Sequence, residues 1–372
     1  MIYLDNAATT LIKPVTVQRA VDSAMRSMAS PGRGGHPPAM LAAETVFDCR
    51  CAAAELFNVS EPERVVFTMN ATHALNIAIG SLARAGTGTL ISGFEHNSVT
   101  RPLRAIGADV TIAGRSLFDR EALLREFQVK VPKMGLVVCT YVSNVFGYVL
   151  PIYEIADICR RNGVPLIVDA SQAAGVLDVD MERLGAAFIA MPGHKALFGP
   201  QGTGILLCGQ NGKPLMHGGS GSDSVPQHMP DYLPDRLEAG THNVCGIAGL
   251  LAGIEYVREK GTENILRHEQ KLLGLMRKEL EDSGVETFAG EDQCGVLSVR
   301  CPGIDCVTAA DKLAQRGICV RSGMHCAPTA HESAGTLQTG TLRFSFSPFV
   351  DESQVKAACA ALRDICGSGD EI

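Results

Sequence analysis

The sequence predicts an α/β protein built around a largely parallel sheet. Two observations carry that prediction. Between about residues 60 and 210, short β-rich apolar runs alternate with helical stretches. The runs are apolar at nearly every position, the pattern of strands buried on both faces. The second observation is that the chemically useful polar residues fall at or just after those runs, where open α/β sheets collect their ligands.

Taken in order, the first run is RVVFT at 64–68, and Thr72 in TMNATHALN opens the helix that follows it. TLISG at 89–93 leads to His96, LVVCTYV at 136–142 to Asn144, and PLIVDA at 165–170 contains Asp169. AAFIAM at 186–191 is followed by a Pro-Gly turn and Lys195, and GILLC at 204–208 closes the series. ALNIAIGSLARAG and PIYEIADICRRNG supply helices between them. Residues 209–235, dense in Gly, Ser, Pro and Asp, predict a long loop of the functional or mobile kind. A helical region follows from about 245 to 283; its VCGIAGLLAGI stretch is too short for a membrane span and predicts a buried helix. A second α/β segment begins at CGVLSVRCPG. The boundary falls near 250, giving a large domain over 15–250 and a small one over 251–372, with residues 1–14 packing near the small one.

The 372 residues are 46% hydrophobic and 20% charged, as in an ordinary globular enzyme. The net charge of −7 without a basic stripe argues against a nucleic-acid partner. MIYLDNAATT lacks the basic head and apolar core of a secretory signal. Thirteen cysteines, odd in number and scattered, predict reduced thiols in the cytoplasm rather than a disulfide framework. Cys49 and Cys51, or Cys301 and Cys306, lack zinc-site spacing, so no metal is expected and most thiols read as small buried hydrophobes.

Lys195, at the rim of a glycine-rich segment, is placed for imine chemistry. Asp169, a carboxylate ending an apolar run, needs a partner. Together they suit pyridoxal 5'-phosphate, which takes a lysine imine and an acidic partner for its ring nitrogen. Gln172, three residues on, reaches toward the same ligand. Thr72 is either a phosphate ligand at a helix N-terminus or a plain N-cap. His96 either stacks on a planar cofactor and relays protons, or is a hydrogen-bonded loop residue. Cys326, after Arg321 and His325 and before APTAHESAGTLQTGT, is a nucleophile on a mobile arm or a structural thiol. Arg343, on the strand-like GTLRFSFSPF, binds a carboxylate or makes a surface ion pair.

These residues sit in motifs that run nearly the length of the chain. They are YLDNAATT (3–10), NATHALN (70–76), EHNSV (95–99), VSNVFG (142–147), VDASQ (168–172), GHKALFGPQGTGIL (193–206), EAGTHN (238–243), RSGMHCA (321–327) and LRFSF (342–346). On them the chain resembles the class V aminotransferase superfamily of fold-type I pyridoxal-phosphate enzymes, and within it the cysteine desulfurases. The resemblance implies a mostly parallel seven-stranded sheet in the large domain and a smaller α/β C-terminal domain. It implies that Lys195 forms the imine, Asp169 holds the ring nitrogen and His96 stacks on the ring. Asn144 and Gln172 would lie near the phenolic oxygen. Thr72, His194 and the backbone of His73 would hold the phosphate. Thr241 would reach the phosphate of a neighbouring subunit, which implies a homodimer with shared sites. Arg343, with Asn144, would hold the substrate carboxylate, and Cys326 would accept sulfur from L-cysteine as a persulfide and pass it to an acceptor protein. The short segment after Cys326 is similar to the second group of desulfurases, with the selenocysteine lyases. Pro192 departs from a usual serine, Met324 from a histidine and His242 from a proline. A selenocysteine lyase, a cysteine sulfinate desulfinase, an aminotransferase and a silent scaffold are the alternatives. Iron–sulfur cluster assembly is one destination for the sulfur.

Overall fold

The structure, a computed structural model, describes residues 1–32, 34–222 and 224–367. A two-residue strand, β1 (Ile2–Tyr3), and helices α1 (Val15–Ser27) and α2 (Pro37–Leu56) precede the main sheet. That sheet comprises β2 (Val65–Thr68), β3 (Gly88–Ser92), β4 (Asp109–Ala113), β5 (Leu136–Thr140), β6 (Leu166–Asp169), β7 (Phe188–Pro192) and β8 (Gly204–Cys208). Their spatial order is β2-β8-β7-β6-β5-β3-β4. Neighbours from β7 through β4 pair in parallel, whereas β8 runs antiparallel to both β7 and β2. The reversal has a simple cause. No helix separates β7 from β8, so the chain must turn back rather than cross over, and that turn carries Lys195.

Six of these strands are the apolar runs of the sequence. The seventh, β4, lies at the sheet edge with Asp109 and Val110 exposed, so it has no continuous apolar signature. Helices α3 (Ala71–Leu82), α4 (Asn97–Ile106), α5 (Arg120–Lys130), α6 (Ile152–Asn162) and the short α7 (Met181–Leu184) follow the strands. Leu75, Ile77 and Ile79 of α3 bury one sheet face with Val66, Ile91, Val138 and Phe188. Phe127 and Ile155, from α5 and α6, bury the other with Leu90, Val137 and Val168. Each such buried side chain contributes about 1.5–3 kcal/mol. With both faces covered, only the strand ends are free to form a site.

The helical region after the long loop resolves into α8 (Val244–Lys260) and α9 (Thr262–Glu279). They break at Gly261, whose φ of 77° is left-handed. Beyond them come β9 (Glu286–Phe288), β10 (Val296–Arg300), α10 (Cys306–Gln315), β11 (Ile318–Cys319), β12 (Arg321–Gly323), α11 (Pro328–Ser333), β13 (Thr341–Ser345) and α12 (Glu352–Gly367). A four-stranded antiparallel sheet, β12-β13-β10-β9, packs its apolar side chains against α9, α10 and α12. Leu4 joins this second core, β1 pairs in parallel with β11, and Asp5 bridges Ser345. The start of the chain is thereby sewn to its end. Among the described residues no helix is long and apolar enough to cross a membrane.

Candidate active site

The carboxyl ends of β2, β3, β5, β6 and β7 open onto one cavity of about 640 Å³. Thr72, His96, Asn144, Asp169, Gln172, His194 and Lys195 line it, with Asn70, Ser98 and Pro192 beside them. Asp169 closes β6 at 3% exposure. Its Oδ1 accepts the Ser171 N–H at 2.9 Å, and no cation pairs with it among the described residues. A buried carboxylate with so little compensation awaits a donor or a positive charge. Across the cavity, burial pulls Lys195 down to about 8; Asp169 opposes that shift while Arg343 and Arg321 reinforce it. The amine is thereby drawn toward its neutral form, the one that attacks carbonyl carbon.

His96 is the N-cap of α4. Its Nδ1 accepts the Ser98 N–H at 3.0 Å and lies 2.9 Å from Ser98 Oγ, which in turn lies 2.8 Å from Thr72 Oγ1. Burial lowers His96 to about 4, with Lys195 and nearby arginines adding to the effect against Asp169. An N–H pointing at Nδ1 leaves the proton of the neutral ring on Nε2. Ser98 thus sets the tautomer, and nothing in its sequence position announced that role.

Thr72 is not the cap of α3. Asn70 is: its Oδ1 accepts the His73 N–H at 2.9 Å. The backbone donor expected of His73 at the phosphate is therefore engaged by Asn70. The His73 ring turns away, accepting the Met69 N–H at 3.3 Å, and borders a separate cavity of about 690 Å³ with Thr241 and His242. His73 and Thr241 do not line this chain's own Lys195 cavity. His194 does; its Nδ1 lies 3.0 Å from Thr9 Oγ1 and burial lowers it to about 4. Gln172 donates to Ala7 O at 3.0 Å.

Arg343 sits on β13 at 2% exposure, so it is no surface ion pair. Its Nη2 donates to Asp5 Oδ1 at 2.7 Å and its Nη1 to Asn144 O at 2.9 Å, while its buried Nε has no partner. Asp5, in the YLDNAATT motif, is the partner that sequence reasoning did not single out. Glu95 is another. Fully buried, it accepts from Ser92 Oγ at 2.5 Å and Thr140 N at 2.8 Å, tying the ends of β3 and β5. Burial raises its carboxyl to about 8, which keeps it protonated at neutrality.

Cys326 is exposed beside Thr72, His96, Ser98 and Arg101, in an opening that shares its first three walls with the Lys195 cavity. The segment expected as a mobile arm starts with a hydrogen-bonded turn. His325 and Cys326 both adopt left-handed backbone, with φ of 46° and 57°. Cys326 O accepts the Asn97 N–H at 2.7 Å, and His325 O accepts Asn144 Nδ2 at 2.8 Å. The His325 ring lies 3.1 Å from Thr341 Oγ1, and Thr329 Oγ1 donates to Glu95 O at 3.0 Å. Two non-glycine left-handed residues cost roughly 1–3 kcal/mol each, and these bonds hold them there. Small polar residues after Cys326 suggested mobility; they serve as the anchors.

The model of the aminotransferase class-V family matches residues 2–358, and the chain belongs to that family. Among curated relatives it is 32% identical to a probable cysteine desulfurase of Methanothermobacter thermautotrophicus, over 99% of this chain and 95% of that protein. It is 33% identical to one of Xylella fastidiosa, over 97% and 90%. Among solved structures it is similar to the apo cysteine desulfurase of Thermococcus onnurineus NA1, with a TM-score of 0.92 and 28% identity over 98% and 94% of the two chains.

Proposed function

We propose that this chain is a cysteine desulfurase that converts L-cysteine to L-alanine with pyridoxal 5'-phosphate as cofactor. One observation carries the reading: a lysine and a buried carboxylate with no cationic partner among the described residues share a cavity, and an exposed thiol lies at its contiguous mouth. The cavity fits the cofactor. Asp169 supplies the charge for a protonated pyridine nitrogen, neutral His96 a flat wall, and the start of α3 at Ala71 and Thr72 a partial positive charge for the phosphate. Relatives named as cysteine desulfurases support the same reading.

When bound, the cofactor supplies the electron sink for the substrate α-carbon. The chain's residues do the rest. Arg343, with its Nε unpaired, binds the substrate carboxylate beside Asn144. Lys195 Nζ, with its pKa near 8, takes the α-proton and returns it. The Cys326 thiolate attacks the substrate sulfur: an S–S bond forms, the C–S bond breaks, and the thiol becomes a persulfide as alanine departs.

A homodimer with shared sites belongs to the proposal, supported by the position of Thr241 beside a second opening instead of its own Lys195. Cytoplasmic placement is supported by thirteen free cysteines. A second domain at the C-terminal end is supported by the separate core of its sheet, whose residues, Leu4 aside, run from Leu272 onward; the expected division near residue 250 falls inside α8, whose Leu250 and Ile254 pack in the main core. The test is a single incubation of the cofactor-loaded protein with L-cysteine and no reductant, followed by alkylation and peptide mapping. Sulfane sulfur on Cys326 is the expected result. Its absence there, with alanine formed, moves the reading to another chemistry on the fold.

A further inference from the structure

Lys195 leaves β7 on a turn whose own backbone bonds run from Gly193 N to Thr203 O, from Gly199 N to Gly193 O and from Phe198 N to Lys195 O. None of them reaches the carbonyl of His194, the residue immediately before the reactive lysine. Among the described residues, every donor to that oxygen comes from residues 9–13. Thr9 Oγ1 lies 3.2 Å away, Thr10 Oγ1 3.1 Å, Thr10 N 3.3 Å and Lys13 Nζ 2.8 Å. A carbonyl oxygen has two lone pairs, so these donors compete, and the shortest contact is also the only charged one. Charge-assisted bonds are about twice as strong as neutral ones, which gives the ammonium the leading part. Lys13 Nζ also donates to Thr10 Oγ1 at 2.5 Å, which leaves the single proton of that hydroxyl for His194 O or for Lys195 O, 3.1 Å away. The segment that bears these groups is itself anchored. Ala7 N donates to Ser345 Oγ at 2.8 Å, and Asn6 Nδ2 to Ser345 O at 2.9 Å. No carboxylate pairs with Lys13 among the described residues, and burial draws its ammonium down to about 8. A partly buried cation needs compensation, and here it comes from the groups that frame Lys195.

We propose that Lys13 is a positioning residue for Lys195: its ammonium fixes, through the His194 carbonyl, the peptide from which the reactive lysine projects. The inference rests on the reading of Lys195 as the group that takes and returns the substrate α-proton. Proton transfer needs donor and acceptor within hydrogen-bond reach, so a peptide displaced by about 1 Å lowers the rate sharply. Lys13 itself does not line the Lys195 cavity, and Arg343 is bound elsewhere, so the effect falls on turnover and not on substrate affinity. The same charge faces the His194 ring, where with Lys195 it adds to burial in keeping the imidazole neutral.

The test compares the native holoenzyme with Lys13→Met, which keeps the stem and removes the charge, and Lys13→Arg, which keeps a cationic donor. Lys13→Gln replaces the methionine variant if its thermal melt shows a poorly folded chain. Two rates are read at saturating cofactor: alanine formation from L-cysteine, and exchange of the α-proton of L-alanine for deuterium in heavy water. Exchange breaks and remakes only the Cα–H bond and does not need Cys326, so it separates this inference from the desulfurase reading. Lys13→Met should lose about 10-fold or more in both rates, with KM for L-cysteine within about twofold of native. Lys13→Arg should recover most of that loss. In the cofactor-free proteins, nitrogen NMR should show His194 titrating at higher pH in Lys13→Met than in the native chain. Exchange without alanine from L-cysteine in the native protein would sink the desulfurase reading and leave Lys13 to be judged on exchange. Unchanged exchange in Lys13→Met, a loss confined to KM, or equal losses in Lys13→Met and Lys13→Arg would each overturn the proposal. Absence of both rates from the native protein would overturn it together with that reading.

Discussion

Lys195 and Asp169 face the same cavity. Replacing Asp169 by Asn removes the only carboxylate that lines that cavity among the described residues. With the cofactor bound, losing the anionic member of a buried pair costs about 3–5 kcal/mol, so alanine formation should fall by roughly two to four orders of magnitude. Titration by cofactor binding and steady-state rates at saturating cofactor separates lost affinity from lost turnover. Glu95 offers a prediction of opposite character. Its folded pKa, about 8, lies above the unfolded value, so the folded chain binds the extra proton between pH 4.5 and 8. Glu95 therefore contributes stability that is present at low pH and is lost as pH rises toward 8, at up to about 1.4 kcal/mol per pH unit. Gln at this position mimics the protonated acid. Denaturant unfolding should show Glu95→Gln close to the native protein at pH 5 and more stable than it at pH 8. Equal stability at both would mean that Glu95 is ionised in the fold. Histidine nitrogen NMR provides a third check: His96 should be neutral at pH 6, with its proton on Nε2.

At the scale of elements, two turns decide what the sheet can do. The first follows β7 and carries Lys195. Gly175, at φ 89°, packs so closely beneath it that an added Cβ would collide with the Ala196 carbonyl. Gly175→Ala should displace the Lys195 backbone, lowering stability by about 1–3 kcal/mol and activity with it. Cofactor absorbance and thermal melting report the two effects separately. The second turn carries Cys326. Asn144→Ala removes the donor to His325 O, and Cys326 persulfide formation at saturating cofactor should slow about 10-fold or more. The six buried strands and the strand-end positions of Thr72, His96, Asn144, Asp169 and Lys195 were legible because continuous apolar runs mark both. β4 was not, since its edge position leaves Asp109 and Val110 in solvent. The held turn at Cys326 was illegible for another reason. Thr329 and Ser333 look like loop residues in sequence, and only their long-range bonds to Glu95 O and Gly93 O show them to be fastenings.

At the scale of the molecule, two cores meet around one site, and the chain's first residues join them. Asp5 comes from the N-terminal segment, Arg343 from the C-terminal sheet and Asn144 from the main sheet, and all three meet in one buried cluster. The Arg343–Asp5 contact spans nearly the whole sequence. No local pattern encodes such a contact, which is why the arginine was legible as a carboxylate binder while its resting partner was not. Cys326 likewise reaches the mouth of the Lys195 cavity because Ala327 and Ala330 pack in the main core and Asn97, at the start of α4, donates to Cys326 O. The function depends on that meeting. The most direct measurement is alanine released from L-cysteine by the cofactor-loaded protein with excess thiol reductant, alongside Cys326→Ala. Steady alanine from the native chain and almost none from the variant is the predicted result; equal alanine from both would contradict a desulfurase acting through Cys326.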